Sequence, residues 1–171
     1  MKYLYTTMML LCLFSCKSYE PLATVNPFNI NKYQGKWYEI GRFPNRFEKD
    51  LTCVTAEYKL KNNGKVAVTN SGQTPDGKIK TAHGTARVPN KKYPAQLKVT
   101  FFWPFSGDYY VIDIDKEYTV ALVGNPSRKY LWILAKTKTI DDKKYSALLQ
   151  KAKTAGFDIT KMIKINQDCK R

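Results

Sequence analysis

From residue 37 onward, apolar and polar residues alternate in short runs broken by turn residues. Val54, Ala56, Tyr58 and Leu60 fall on one face of such a run, and Cys53, Thr55, Glu57 and Lys59 on the other. A period of two predicts a strand over 53–60 with one face buried and one solvated. The same reading predicts strands over 37–43, 65–72, 79–88, 97–103, 109–115, 118–123 and 130–136. Asn62-Asn63-Gly64, Pro75-Asp76-Gly77 and Asn125-Pro126-Ser127 mark tight turns between them. Leu97, Val99, Phe101 and Trp103 share the predicted inner face of their strand. Ala82, Gly84, Ala86 and Val88 share another, and the small residues there leave room inside. His83 lies on the opposite, solvent side with Thr81, Thr85 and Arg87.

The period then changes. Tyr145, Leu148, Leu149 and Ala152 recur at i, i+3, i+4 and i+7, while Lys143, Lys144, Lys151 and Lys153 face away. This predicts one amphipathic helix, N-capped by Asp141 and closed by Gly156 at C′, with its apolar stripe on the outer wall of a sheet. A short strand is expected over 161–165. No βαβ spacing occurs. The expected fold is all-β: an eight-stranded antiparallel up-and-down barrel, a calyx, with one C-terminal α-helix packed outside. Closure removes sheet edges, and eight strands leave an interior able to hold one small ligand. Residues 17–34, with Pro21 and Pro27 and no periodicity, read as a tether plus a lid over one barrel end.

The amino-terminal stretch belongs to targeting. Lys2 is followed by a largely apolar run from Leu4 to Phe14, too short to span a bilayer and right for a secretory signal core. The run Leu13-Phe14-Ser15-Cys16 resembles a bacterial lipoprotein signal, in which a lipidated cysteine becomes the new amino terminus. The resemblance implies a signal peptide over 1–15, Cys16 as the lipid anchor, a tether over 16–27 and a barrel domain over 28–171. It also implies attachment by acyl chains, palmitate among them, in the bacterial cell envelope. The absence of aspartate at Lys17 favours the outer membrane.

Export leaves Cys53 and Cys169, which read as one disulfide, with two free thiols or a metal pair as alternatives. Two cysteines and one histidine make a poor metal site, so no metal or cofactor is expected. Formal net charge is +15. No nucleic-acid-binding motif accompanies it and the lysines are dispersed, so no nucleic-acid partner is expected. The charge reads as a solvated basic surface or as attraction to anionic lipid. Phe43, Phe47 and Phe105, placed in loops, are candidates for a homodimer contact or for membrane docking.

Gly35-Lys36-Trp37-Tyr38-Glu39 is similar to the first sequence signature of the lipocalins. Asp115-Lys116-Glu117-Tyr118 resembles the second and Tyr130-Leu131-Trp132-Ile133-Leu134-Ala135-Lys136 the third. With Pro104-Phe105 and Gly156-Phe157-Asp158, the chain is identified as resembling the bacterial outer-membrane lipoprotein lipocalins and their relative apolipoprotein D, over nearly all of 27–169. The resemblance implies Gly35, Trp37, Asp115, Tyr118 and Lys136 as fold-signature residues. It matches Cys53 and Cys169 to a cysteine pair of apolipoprotein D, and it places Tyr109 and Trp132 near the open end. Lys136 departs from the arginine usual there and loses the planar fork, although cation–π contact with Trp37 remains open to it.

The expected function is binding and storage or carriage of an amphipathic lipid, a fatty acid or lysophospholipid. Candidate ligand-binding residues are Val54, Tyr58, Val99, Phe101, Tyr109 and Trp132. A carrier of another small hydrophobic or anionic ligand, such as a siderophore, is the alternative. An isomerase-type lipocalin is the third reading. It would need an internal nucleophile or acid–base group, and no catalytic residue is assigned.

Overall fold

A computed structural model describes residues 20–169. Eight antiparallel strands follow in order: β1 (Gly35–Arg42), β2 (Thr52–Leu60), β3 (Val66–Gln73), β4 (Ile79–Arg87), β5 (Gln96–Phe102), β6 (Phe105–Ile114), β7 (Val120–Gly124) and β8 (Leu131–Ala135). Each pairs with the next, and β1 pairs with both β2 and β8, so the barrel closes. A four-residue helix α1 (Ile30–Tyr33) precedes β1. Helix α2 (Asp142–Thr154), a single 3-10 turn and a two-residue strand β9 (Ile163–Lys164) on β1 follow β8. The expected signal segment and the expected anchor Cys16 lie outside the described residues.

Strand directions define two ends. Helix α1, the hairpin after β2 and the Asp115–Thr119 turn sit at the closed end. Loops 43–51, 74–78, 103–104 and 125–130 sit at the open end. Pairing is uneven around the wall. β4 pairs with β3 along all of Ile79–Ala86, but meets β5 only through Thr85, Ala86 and Arg87.

Alternation sorts side chains between two cores. Trp37, Ala56, Tyr58, Val66, Val68, Ala86, Leu97, Val111, Ala121, Val123 and Leu134 point into the barrel. Ile40, Val120, Leu122, Leu131, Ile133 and Ala135 point outward beneath α2, where Tyr145, Leu148 and Ala152 cover them. β7 and β8 are thus buried on both faces, and read as near-continuous apolar runs for that reason.

The ends of α2 follow the sequence signals. Asp141 Oδ1 accepts from the amides of Lys143 and Lys144 at 2.9 and 3.2 Å. At the other end Gly156 (φ 86°) and Phe157 return amide bonds to Lys153 and Ala152, a Schellman closure that needs the left-handed glycine. Phe157 then packs against Phe43 and over Gly124, where a Cβ would stand 2.7 Å from the ring. Phe43 is therefore a core residue under α2, and the expectation of it as a loop contact is corrected. Lys144 and Lys151, expected to face away, instead reach Asp115 and Asp113 at 2.7 Å and pin the helix to β6.

Two further expectations change. Trp103 is not on the inner face of β5. A register irregularity between Val99 and Phe102 ends the strand at Phe102 and throws Trp103 to the hairpin tip, 89% exposed. β6 begins at Phe105 rather than Tyr109, because Gly107 continues the ladder opposite Val99 instead of breaking it.

Cys53 and Cys169 form a disulfide, closing 116 residues of chain. Cys53 faces outward, so the carboxy-terminal tail is fastened to the outside of β2. Gln167 reinforces it, donating from Nε2 to the carbonyls of Glu39 (2.8 Å) and Val54 (2.9 Å).

Candidate functional site

The signature residues assemble the closed end. Gly35 adopts φ 88°, the left-handed region that favours glycine. The turn brings Lys136 over Trp37, with Nζ 4.2 Å from the ring centroid and 2.5 Å from the Gln34 carbonyl. Lysine therefore keeps a cation over the indole without the planar fork. Trp37 Nε1 donates to the Tyr33 carbonyl at 2.8 Å, which ties α1 across the barrel floor. Tyr118 Oη accepts from the Asn29 amide at 2.9 Å, and Phe28 packs between the Tyr33 and Tyr118 rings.

Asp115 organises the turn before β7, accepting from the Thr119 and Val120 amides at 2.6 and 3.0 Å and from Lys144 Nζ at 2.7 Å. Burial would raise its carboxyl, but the bonds from Lys144, Thr119 and Val120 prevail and hold it at about 2. A depressed folded-state value gives stability that is present above the ordinary carboxylate range and lost as pH falls toward about 2. Replacing Asp115 by Asn is expected to flatten the acid limb of the thermal-melting profile between pH 4 and 2. A slope equal to that of the parent protein would show that Asp115 does not set it.

Above the floor the lumen is apolar on most sides and polar along one. Tyr58, Val99, Phe101, Tyr109 and Trp132 all border the interior cluster. Val54 is also buried, beside Leu51 and Gly72 toward the mouth rather than in that cluster. Phe101 packs against Gly84, where a Cβ would come within 2.8 Å of the ring. Tyr109 is deep, not near the open end. Its hydroxyl meets those of Tyr33 and Tyr58 at 2.7 and 2.8 Å, forming a three-phenol chain on the floor. Burial pushes all three phenols above their ordinary range, so each stays neutral.

Trp132 does sit at the mouth. Its Nε1 donates to Glu48 Oε2 at 3.1 Å, beside a bond from Asn45 Nδ2 at 2.6 Å. β1 register sets Arg42 opposite Trp132 and Glu39 opposite Leu134, both on the lumen face. Arg42 Nη1 bonds Glu39 Oε1 at 2.6 Å, while Nη2 bonds the carbonyls of Glu48 and Leu51 at 2.5 and 3.3 Å. Burial, then the neighbouring Glu48 carboxylate, holds the Glu39 carboxyl well above the usual range against the pull of Arg42.

Sequence reasoning missed Tyr33, Glu39, Arg42, Glu48 and Asn70. Glu39 was legible, being two residues beyond inward Trp37. Arg42 was not, because a bulge between Glu39 and Gly41 shifts its phase. Asn70 faces inward between Ala56 and Ala82, and its buried Oδ1 has no hydrogen-bond partner among the described residues. Ala82 faces inward yet is exposed, on the stretch of β4 that has no ladder to β5, so solvent reaches the lumen there. His83 is outside, against Thr69 Oγ1 at 3.3 Å. Among the described residues no three His, Cys, Asp or Glu side chains converge as a metal site. A surface groove of about 970 Å³ between the N-terminal segment, β6 and the end of α2 lies on the outer wall.

Residues 28–167 match the lipocalin-like domain. The chain is 44% identical over 157 residues to the outer membrane lipoprotein Blc of Escherichia coli K12, covering 90% of this chain and 89% of that one. It is 39% identical to the Blc of Vibrio cholerae, covering 86% and 88%, and 36% identical to apolipoprotein D of Macaca fascicularis, covering 82% and 78%. Among solved structures, insecticyanin from Manduca sexta superposes with a TM-score of 0.70 at 24% identity, over 87% of this chain and 86% of that one, a likeness of fold. The closed barrel, its outer helix, the three motifs at its base and these relatives together establish that the chain belongs to the lipocalin family.

Proposed function

We propose that the protein binds and stores or carries one amphipathic lipid, a fatty acid or lysophospholipid, with its acyl chain in the calyx. The observation that carries this reading is a lumen open to solvent at Ala82 and walled by Val99, Phe101, Val111 and Val123, with Arg42, Glu48 and Trp132 joined by hydrogen bonds at the mouth and Asn70 facing inward on β3. Each acyl methylene taken from water contributes about 0.8 kcal/mol, so a long chain has ample driving force. The polar groups on one side supply partners for the linkage or headgroup. The protein acts as a binding protein, not an enzyme. The anchor in this reading is an acylated Cys16 at the bacterial outer membrane, which the names of the Blc outer membrane lipoproteins support.

Native mass spectrometry of the protein with added lysophospholipid or fatty acid is expected to show a one-to-one adduct of defined acyl length. Ala82→Trp, which fills the lumen from a solvated position, is expected to remove that adduct while leaving Tm unchanged. Absence of any lipid adduct from folded, oxidised protein would overturn the lipid reading and favour an anionic ligand such as a siderophore.

A further inference from the structure

The open end carries aromatic surface that the calyx does not use. Phe102, Trp103 and Phe105 at the β5–β6 tip are 74%, 89% and 78% exposed, and Phe47 on the neighbouring 43–51 loop is 54% exposed. Four large side chains left in water at one rim of a barrel mark an interaction surface. The chain path says which one. Glu20, the first described residue, is held at this same rim: its carbonyl and that of Pro126 accept from Arg128 Nη1 in the β7–β8 turn. From there the chain descends, with Leu22 under α2 and the Val25 amide on the Val111 carbonyl at 3.0 Å, to α1 at the floor. Cys16 stands four residues before Glu20, a span of at most about 14 Å. An acyl anchor on Cys16 therefore holds the mouth, not the base, against the bilayer.

Charge agrees. Arg46, Lys49, Lys78, Lys80 and Lys129 are exposed around the rim. Opposing them are the exposed Glu20 and Asp50, Asp76, which is paired to Lys78 at 2.8 Å, and the half-buried Glu48. Two such basic rims would repel, which disfavours a second copy as the occupant, whereas an anionic lipid face attracts one. Tryptophan with flanking lysines is also the composition that settles at headgroup depth.

We infer that the calyx docks mouth-down on an anionic bilayer, with Phe102, Trp103, Phe105 and Phe47 in the headgroup region, so that lipid passes between membrane and lumen without crossing water. This rests on the anchor reading of Cys16.

The test is tryptophan fluorescence of the full-length acylated protein in vesicles of brominated phosphatidylcholine and phosphatidylglycerol. The Trp103 signal is taken as the parent minus the Trp103→Phe variant, since Trp37 on the floor and Trp132 at the mouth contribute to both. That signal is expected to fall by about half or more and to lose its quenching by aqueous iodide. Phe102→Ser with Phe105→Ser should restore iodide access. Mass analysis of the amino-terminal peptide reports acylation separately. An unacylated Cys16 overturns the tether and this inference with it. An acylated protein whose Trp103 stays open to iodide overturns the docking while the anchor stands. Iodide protection that appears without vesicles and grows with protein concentration assigns the patch to a second copy and also overturns it.

Discussion

Replacing both Cys53 and Cys169 by serine is expected to lower the free energy of unfolding by roughly 4 kcal/mol, read by urea denaturation of oxidised parent and variant. The bridge closes 116 residues, nearly the whole barrel, so it restricts the unfolded chain far more than a hairpin-sized loop would. The native state loses little in exchange. The Cys53 amide still bonds the Asn166 carbonyl at 2.8 Å, and Gln167 still spans the Glu39 and Val54 carbonyls. A domain of this size should melt about 10 °C lower as a result. A loss below about 1 kcal/mol would mean that the unfolded chain is already restricted without the bridge.

Arg42→Ala should cost about 3–5 kcal/mol, the usual consequence of leaving a buried charge without its partner. Arg42 and Glu39 are each about 3% exposed and joined at 2.6 Å, so truncating Arg42 leaves the carboxyl of Glu39 buried without its partner. The same substitution releases loop 43–51, which Arg42 holds through the Glu48 and Leu51 carbonyls. A pH dependence separates these two effects. The Glu39 carboxyl already lies above its ordinary value of 4.5, because burial and Glu48 outweigh Arg42. A raised folded-state value favours the protonated form, so stability is greatest below the unfolded value and declines as pH rises through the folded one. Without Arg42 the folded value climbs further. The variant should therefore be weakest near neutrality and recover part of the loss near pH 4. An equal loss at both pH values would assign the effect to the loop alone. Arg42→Met combined with Glu39→Leu should be much milder than Arg42→Ala.

Legibility in the sequence tracked how cleanly each strand separates two environments. β2, β3 and β4 have solvent on one side, and their alternation located them to within a residue or so. β7 is buried on both sides, so its start could not be read from pattern. Its true limit is set by Asp115, which captures the Thr119 and Val120 amides and holds residues 115–119 as a turn. Helix α2 was readable end to end because Asp141 and Gly156 carry its caps. The floor was hidden, since Tyr33 lies in a proline-bearing stretch and its four-residue helix depends on Asn29 and Trp37 rather than on periodicity. The lumen's polar side was hidden for a different reason. Arg42 comes into phase only through a bulge, and Tyr109 is placed by what its hydroxyl meets from two other elements.

The uneven ladder around β4 gives the cup a stiff half and a compliant half. On one side α2, its ion pairs to β6 and the disulfide-fastened tail brace the wall from outside. On the other, Ile79–Gly84 has no hydrogen-bonded neighbour toward β5, so the wall is split from the mouth almost to mid-height, like the slit in a collet. Widening there spares the three-residue seam below and the outer core beneath α2, and draws Phe101 off Gly84. Ligand girth can thus vary at small elastic cost, while ligand depth is fixed by a floor that cannot move without parting the Tyr33 ring from Trp37, 4.7 Å away between centroids.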